Sequence, residues 1–300
     1  MHLYSLCMIN EKPAIKLTFS GHDTFHCRHL WLKKGYDFIK NRNKFSQENA
    51  VLELGVGKNM VSAIGFWMKA FGLLNNEGYL TEFANYIFDD TCGKDPYIED
   101  EGTLWLLHYM LVKNNIASIY NLIYNDFRRE KIEFTREHFV IFASRKIDEY
   151  NLNQTSKNTI ATDFDVFIKM YTISENTKDK EENLTGLLTE LNLLHKEKLS
   201  FSILNDEKDN IPDEIILFSI LDNDDFINSI NLYSLEHEKN QIGSIYAVNR
   251  SGIVNKIEGI AANKSLKKYG ITYTDHAGIK ELQIKEKPNK YEVLNLYYAK

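Results

Sequence analysis

Residues 46–81, SQENAVLELGVGKNMVSAIGFWMKAFGLLNNEGYLT, decide the fold of the N-terminal part of the chain. A short apolar segment at 48–54 leads into Gly55-Val56-Gly57, and a longer helical pattern follows at 59–71. Two glycines so close together permit the tight turn that joins two helices. This stretch therefore predicts a helix-turn-helix.

The second helix of this motif has two contrasting faces. The apolar residues that recur at helical spacing and are expected in the core are Val61, Ile64, Met68 and Phe71. The residues on the opposite face are Asn59, Ser62, Phe66 and Lys69. Amide, hydroxyl and cationic groups suit a helix that lies in a DNA major groove. The alternative is a helical hairpin that packs for stability alone, with a partner protein on its polar face.

A small hairpin is expected directly after this helix. Asn75, Asn76 and Gly78 tolerate the left-handed conformations that a tight turn requires. Thr81 then has the residue type and position of the N-cap of a following helix. Together these features predict a winged helix-turn-helix.

The Gly57-Lys58 pair does not indicate a nucleotide-binding P-loop. That motif needs a glycine where Leu52 stands and a serine or threonine where Asn59 stands. An ATP site at this position is therefore excluded.

Composition indicates a globular protein with two or three domains. The 300 residues are 43% hydrophobic and 26% charged, which is ordinary for such proteins. No apolar run is long enough to span a membrane, so no membrane partner is expected. Cys7, Cys27 and Cys92 lie too far apart to indicate a disulfide framework or a zinc site. We expect a cytoplasmic protein.

Positive charge is concentrated around the helix-turn-helix. The chain carries a net charge of −6, but residues 28–69 contain eight basic and three acidic residues, a net +5 that leaves −11 for the rest. A basic patch on an acidic body fits phosphate docking on one face. The predicted DNA-binding residues are Lys33, Lys34, Lys58, Asn59, Ser62, Phe66 and Lys69. The alternative is that several of these lysines only solvate exposed helix faces.

An acidic segment precedes a strongly apolar helix at 101–111. Glu99, Asp100 and Glu101 stand where carboxylates cap free N–H groups and favour the positive end of the helix dipole. The alternative is that they hold Mg²⁺ or Mn²⁺ for phosphodiester cleavage, since hard cations prefer oxygen ligands. No complete nuclease motif accompanies them.

The predicted fold is mainly α with minor β structure, in three domains. Residues 1–90 form the winged helix-turn-helix, 91–175 a helical middle domain, and 183–300 a C-terminal α+β, winged-helix-like domain. A charged linker is expected at 176–183. The expected C-terminal helices are 184–194, 212–221 and 251–262, and the expected strands are 199–204, 243–248, 271–274 and 293–298.

Several segments together resemble a known bacterial family. They are 21–25 (GHDTF), 31–35 (WLKKG), 55–61 (GVGKNMV), 95–100 (DPYIED) and 103–105 (TLW). The sequence is similar over nearly its whole length to a family of uncharacterised domains whose genes lie beside sulfur-transfer enzymes related to PAPS reductases. That family includes the DNA-nicking component of single-strand DNA phosphorothioation systems.

The resemblance implies a role in DNA modification and phage defence. The protein would bind double-stranded DNA and nick one strand, so that partners can insert sulfur into the backbone. The implied partners are a cysteine desulfurase, an ATPase and a PAPS-reductase-like sulfur-transfer subunit. The alternative function is a non-catalytic DNA-binding adaptor or transcription regulator that recruits those partners.

Nicking would require a base, a phosphate clamp and charge neutralisation. Under the resemblance, His22 or His26 is the base, Arg28 the clamp, Asp23 a neighbouring catalytic group, and Glu99, Asp100 and Glu101 the metal ligands. The alternative for His22 and Asp23 is that they only lock the turn before the first helix.

Overall fold

The computed structural model describes residues 16–173, 185–223, 226–276 and 279–299. The predicted linker at 176–183 lies wholly outside these residues. The α-helices of the described part are α1 Trp31–Lys40, α2 Ala50–Leu54, α3 Lys58–Ala70, α4 Glu82–Phe88, α5 Glu101–Asn114, α6 Ser118–Leu122, α7 Arg128–Glu130, α8 Arg136–Glu149, α9 Lys157–Tyr171, α10 Asp213–Leu221, α11 Leu232–His237, α12 Ile242–Ile245, α13 Arg250–Ala262 and α14 Lys290–Tyr298.

In the described part of the chain, six short strands form two antiparallel sheets of three strands each. The strands are β1 Glu133–Phe134, β2 His195–Glu197, β3 Ser200–Ser202, β4 Ser229–Asn231, β5 Ile271–His276 and β6 Ile279–Ile284. The first sheet has the order β1-β3-β2 and the second the order β4-β6-β5. About 53% of the residues that the structure describes are helical and 10% are in strands, which confirms the predicted mainly α fold class.

The predicted helix-turn-helix segment folds as two helices around a glycine turn. Gly55 ends α2 in the left-handed conformation, with φ of 63°, and α3 begins at Lys58. The predicted core face of α3 is confirmed. Its four buried members are Val61, Ile64, Met68 and Phe71. Ile64, Met68 and Phe71 lie in the main core with Leu32 and Tyr36 of α1. Val61 lies in a smaller cluster with Phe38, Ala50 and Leu54.

The segment after α3 is a minimal hairpin. Leu74 and Leu80 form a single antiparallel bridge, and the Asn75 N–H donates to the Tyr79 carbonyl at 3.0 Å. The predicted N-cap is confirmed, because the Thr81 hydroxyl accepts the Ala84 N–H at the start of α4. The winged-helix assignment of the whole unit stays a prediction.

The middle of the chain is built around α5, an apolar helix that is buried on almost every side. A π-helical segment, Ile123–Phe127, joins α6 to α7 in one continuous helical run. One hydrophobic core extends from Cys27 to Leu294 and includes residues of all three predicted domains. The predicted domain boundaries stay predictions.

Two C-terminal strand predictions were wrong. Residues 243–248 lie in and after α12, and 293–298 lie in α14. Short apolar runs do not distinguish a strand from a buried helical segment. At 293–298 the helix begins upstream, where the Asn289 side chain caps α14 by accepting the Tyr291 N–H.

The expected helix at 184–194 is also wrong for its described part, where only a 3-10 turn, Thr189–Leu191, forms. The other helices are confirmed as α10 and α13, and the other strands as β3 and β5. Within the described part of the chain, no helix is both long and apolar enough to cross a bilayer.

Candidate nucleic-acid interface

The loop at 20–28 is held between helices α3 and α9. The Ser20 N–H donates to Asp163 Oδ1 on α9 at 2.8 Å, and Trp67 Nε1 on α3 donates to the Phe25 carbonyl at 3.0 Å. Gly21 lies so close to Phe66 that a Cβ at this position would be 2.2 Å from its ring. The loop therefore sits at a fixed position relative to both helices.

His22 points into the protein. Its side chain is 1% exposed and stacks on Trp67 with ring centroids 5.1 Å apart. Its Nε2 lies 3.6 Å from Asp163 Oδ2, and its Nδ1 lies 3.1 Å from the Asp23 carbonyl. A ring buried in this way is not in reach of a phosphate at the protein surface. The geometry favours the turn-locking alternative for His22.

Asp23 points outward. Its backbone is left-handed, with φ of 54°, a conformation that aspartate tolerates better than most residues. Asp23 lines a polar groove of about 500 Å³. The other residues of this groove are Ser20, Thr24, Phe25, Asn59, Asn158, Thr159 and Thr162. The structure thus brings the predicted catalytic Asp23 and the predicted DNA-binding Asn59 together.

His26 and Arg28 do not line the groove. Both are half-buried, and the Arg28 guanidinium lies over the Trp31 ring, 5.2 Å from its centroid. The predicted catalytic residues therefore do not converge on one point in this structure, and their catalytic roles stay predictions.

Most of the predicted outer face of α3 is exposed. Lys58, Asn59, Ser62 and Lys69 are all accessible. Phe66 is an exception on this face. It is partly buried, packs on Gly21 and meets the His22 ring edge-on at 5.5 Å. Phe66 therefore supports the loop, and its DNA-binding role stays a prediction.

Lys33 also departs from its predicted DNA-binding role. It is 6% exposed, and its Nζ lies 2.6 Å from carboxylate oxygens of both Asp37 and Asp90. Burial lowers the pKa of Lys33, but the hydrogen bonds that Lys33 donates to the two carboxylates and their negative charge together raise it more, so its pKa lies above the ordinary value. Lys40 is likewise paired with Asp89 at 2.9 Å.

The basic surface is consequently smaller than the sequence count indicated. Asp89 and Asp90, which lie outside the window of 28–69, neutralise two of its lysines. The exposed cations of that window without an ion pair to any described residue are Lys34, Arg42, Lys44, Lys58 and Lys69.

The N-terminal turn of α9 was missed as part of the site. Asn158 lies in the first turn of this helix, which begins at Lys157. The Ser156 hydroxyl caps it by accepting the Thr159 N–H at 3.1 Å. The signal for this helix start was Ser156, an N-cap residue type four positions before the apolar periodicity begins at Ile160.

The acidic segment acts as a helix cap. Asp100 Oδ1 accepts the Gly102 N–H at 2.7 Å and the Tyr297 hydroxyl at 2.6 Å, which confirms the capping interpretation for Asp100. Glu101 accepts Trp105 Nε1 at 3.3 Å. These two carboxylates thus already have protein partners.

The predicted metal role of Glu99, Asp100 and Glu101 finds no matching ligand group. Glu99 and Glu101 line an acidic cleft of about 770 Å³. Among the described residues, no three His, Cys, Asp or Glu side chains are arranged to hold an ion. Metal binding by Glu99, Asp100 and Glu101 therefore stays a prediction, and the arrangement of their carboxylates in this structure does not support it.

The family of the chain follows from its sequence as a whole. Residues 19–298 match the model of the family described as "Protein of unknown function (DUF4007)", and the chain belongs to that family. No curated protein matches it.

Two solved structures are similar to this chain. One is described as a magnesium ion-bound SspB crystal structure and the other as an SspB crystal structure. Both are 26% identical to this chain and cover 95% of it and 89% of their own length, with TM-scores of 0.84 and 0.83. The family resemblance seen in the sequence is confirmed at the level of the fold.

Proposed function

We propose that this protein is the SspB-like component of a DNA phosphorothioation system, that it binds duplex DNA and that it introduces single-strand nicks for sulfur insertion. The observation that carries the proposal is the similarity to SspB, which spans 95% of this chain at a TM-score of 0.84. The nicking activity in this proposal is the one that the resemblance seen in the sequence implies.

The charge distribution supports DNA binding. Lys58 and Lys69 are exposed on α3, and Lys34, Arg42 and Lys44 are exposed on the segments before it. Because a duplex carries a phosphate charge about every 1.7 Å along its axis, scattered lysines and arginines on one unit contribute affinity without sequence preference. Asn59 and Ser62 add hydrogen-bonding groups on the same helix.

The groove beside α3 is the proposed location of the nicked strand. Asp23 presents a carboxylate there, next to the Asn59 amide and the Thr24 hydroxyl. A nickase must hold its reactive groups beside a phosphate that the DNA-binding surface has already positioned. In the proposal, Asp23 orients or deprotonates the attacking water, and the neighbouring amide and hydroxyl groups hold the phosphate.

Magnesium enters the proposal only through the relative. One SspB structure is magnesium-bound, whereas the described residues of this chain present no ligand group for the ion. We therefore assign no step to a metal. The proposed partners are a cysteine desulfurase, an ATPase and a PAPS-reductase-like subunit, which would act on the opened strand.

A second function, a non-catalytic DNA-binding adaptor or regulator, is favoured by one observation. One of the two histidines predicted as the base, His22, is buried against Trp67 and Asp163. An adaptor would use the same DNA-binding surface to recruit the sulfur-transfer partners and would leave the strand intact.

Nicking of supercoiled plasmid separates the two functions. The assay compares the parent protein, Asp23→Asn and a control, Asp275→Asn, in the presence of Mg²⁺, of Mn²⁺ or of a chelator. The control changes an exposed carboxylate on β5. We expect nicking by the parent and the control, and its loss in Asp23→Asn with DNA binding retained. If the parent binds DNA without nicking it, the adaptor function is favoured. If the parent neither binds nor nicks DNA, both functions are overturned.

A further inference from the structure

The order of elements at 118–202 is that of a winged helix, although the sequence placed such units elsewhere. A helical run of α6, the π-helical segment and α7 is followed by β1, then α8 and α9, then the hairpin β2–β3. The strands pair antiparallel in the order β1-β3-β2. A winged helix has the same order: a helix, a strand, two helices and then a hairpin whose last strand lies in the centre of the sheet.

We propose that α9 is a second DNA-reading helix and that the β2–β3 turn is its wing. The inference rests on the proposed DNA-binding function and extends it to duplex DNA that contacts α3 and α9 together. In a helix-turn-helix the second helix lies in the major groove with its N-terminal residues at the base edges. In this unit, α8 is the first helix and α9 the second.

The two faces of α9 fit this role. The buried face includes Ile160, Phe164 and Phe167, which pack in the main core. On the helical wheel the opposite face carries Asn158, Ala161, Thr162, Asp165 and Lys169. Its amide, hydroxyl and ammonium groups match the hydrogen-bonding groups of base edges and phosphates.

The charge of this face suits a polyanion. Asp165 is the one exposed carboxylate of α9, and Arg136 at the start of α8 lies 3.0 Å from it. Lys157 in the first turn and Lys169 in the last turn are exposed and form no ion pair with any described residue. The exposed Lys198 stands at the β2–β3 turn with φ of 56°.

The groove described above connects α9 with α3. Asn158 and Thr162 line it from α9, Asn59 lines it from α3, and Asp23 lies between the two helices. Because the loop at 20–28 is hydrogen-bonded to both helices, their relative position is fixed before any ligand binds. A duplex placed against this face would contact both helix ends and pass over Asp23.

The test compares three double variants of the full chain in duplex binding over a range of salt concentrations. They are Lys157→Ala/Lys169→Ala on α9, Lys58→Ala/Lys69→Ala on α3, and the control Lys264→Ala/Lys267→Ala, which removes two exposed lysines from the C-terminal 3-10 turn. Each phosphate contact contributes about 0.9 to the slope of log affinity against log salt. We expect the α9 variant to lower the slope by about 1.8 and the control to leave it unchanged.

The outcomes distinguish this inference from the proposed function. If the α3 variant loses affinity while the α9 variant binds like the control, α9 is not a DNA-reading helix and the proposed function stands. If the parent itself does not bind duplex DNA, both fail. Base readout is tested separately with Asn158→Ala and Thr162→Ala, which should change the preferred sequences in a selection from random duplexes. An unchanged preference in both variants overturns the assignment of α9.

Discussion

Removing Lys58 and Lys69 from α3 should weaken DNA binding in a salt-dependent way. Both ammonium groups are exposed, and neither forms an ion pair with any described residue. A phosphate contact by either lysine releases condensed counterions, so its loss reduces the slope of log affinity against log salt by about 0.9. The double alanine variant should therefore lose about 1.8.

The magnitude follows from the exposed cations. Carboxylates neutralise Lys33 and Lys40, and Arg28 is half-buried on Trp31. Five exposed cations of the window 28–69 then remain without an ion pair to a described residue. If all five contact phosphate, the parent affinity should fall about 500-fold between 50 and 200 mM salt, and that of the variant about 40-fold.

Fluorescence anisotropy with a labelled duplex measures this difference, and a paired lysine provides the control. Lys40→Ala combined with Asp89→Asn removes an ion pair without changing the net charge, so it should keep the parent slope. If the control loses as much slope as the α3 variant, pairing does not decide which lysines contact DNA. An unchanged slope in the α3 variant refutes the assignment of this helix to the interface.

Three further predictions concern stability. Burial lowers the pKa of His108 to about 4. As the pH falls, His108 is therefore protonated in the unfolded chain before it is protonated in the folded protein, and the free energy of unfolding decreases. Between pH 7.5 and 5 the parent should lose about 2 kcal/mol more than His108→Gln, measured by urea titration. Asp100→Ala should lower the free energy of unfolding by about 1–2 kcal/mol in the same assay because a helix cap is lost, while Asp100→Asn retains most of it. Gly21→Ala should destabilise the protein by about 1–3 kcal/mol and weaken DNA binding, because its Cβ would lie 2.2 Å from the Phe66 ring. The control in thermal melts is Gly57→Ala, whose Cβ would have no atom within 4 Å. Equal melting temperatures for the two variants would contradict the packing argument.

Local signals predicted the N-terminal helices well. The observed bounds of α3 are each within one residue of the prediction, because a glycine turn begins the helix and its apolar periodicity is unbroken. The Thr81 cap was predictable for the same reason, since capping depends on residues three positions apart.

Features that depend on distant residues were not predictable from the sequence. The sequence predicted Lys33 to be a surface cation, because its partner Asp90 is 57 positions away in the chain. The groove needs Ser20 beside Asp163, 143 positions away, and no periodicity encodes that contact. In the C-terminal part, short apolar runs fit a strand and a buried helix equally well, and packing decided between them.

The adjacent residues His22 and Asp23 have opposite roles in the loop. The Asp23 N–H donates to the Ser20 carbonyl, and the left-handed φ of Asp23 reverses the chain at this point. The turn consequently places the imidazole against Trp67 and the carboxylate in the groove. Replacing His22 removes its stacking on Trp67 and its contact with Asp163, which add to the hydrogen bonds that hold the loop between α3 and α9. A loss of nicking in a His22 variant would therefore also follow from a displaced loop. Replacing the exposed Asp23 by asparagine keeps those contacts, and for this reason the chemistry of the groove is tested at Asp23.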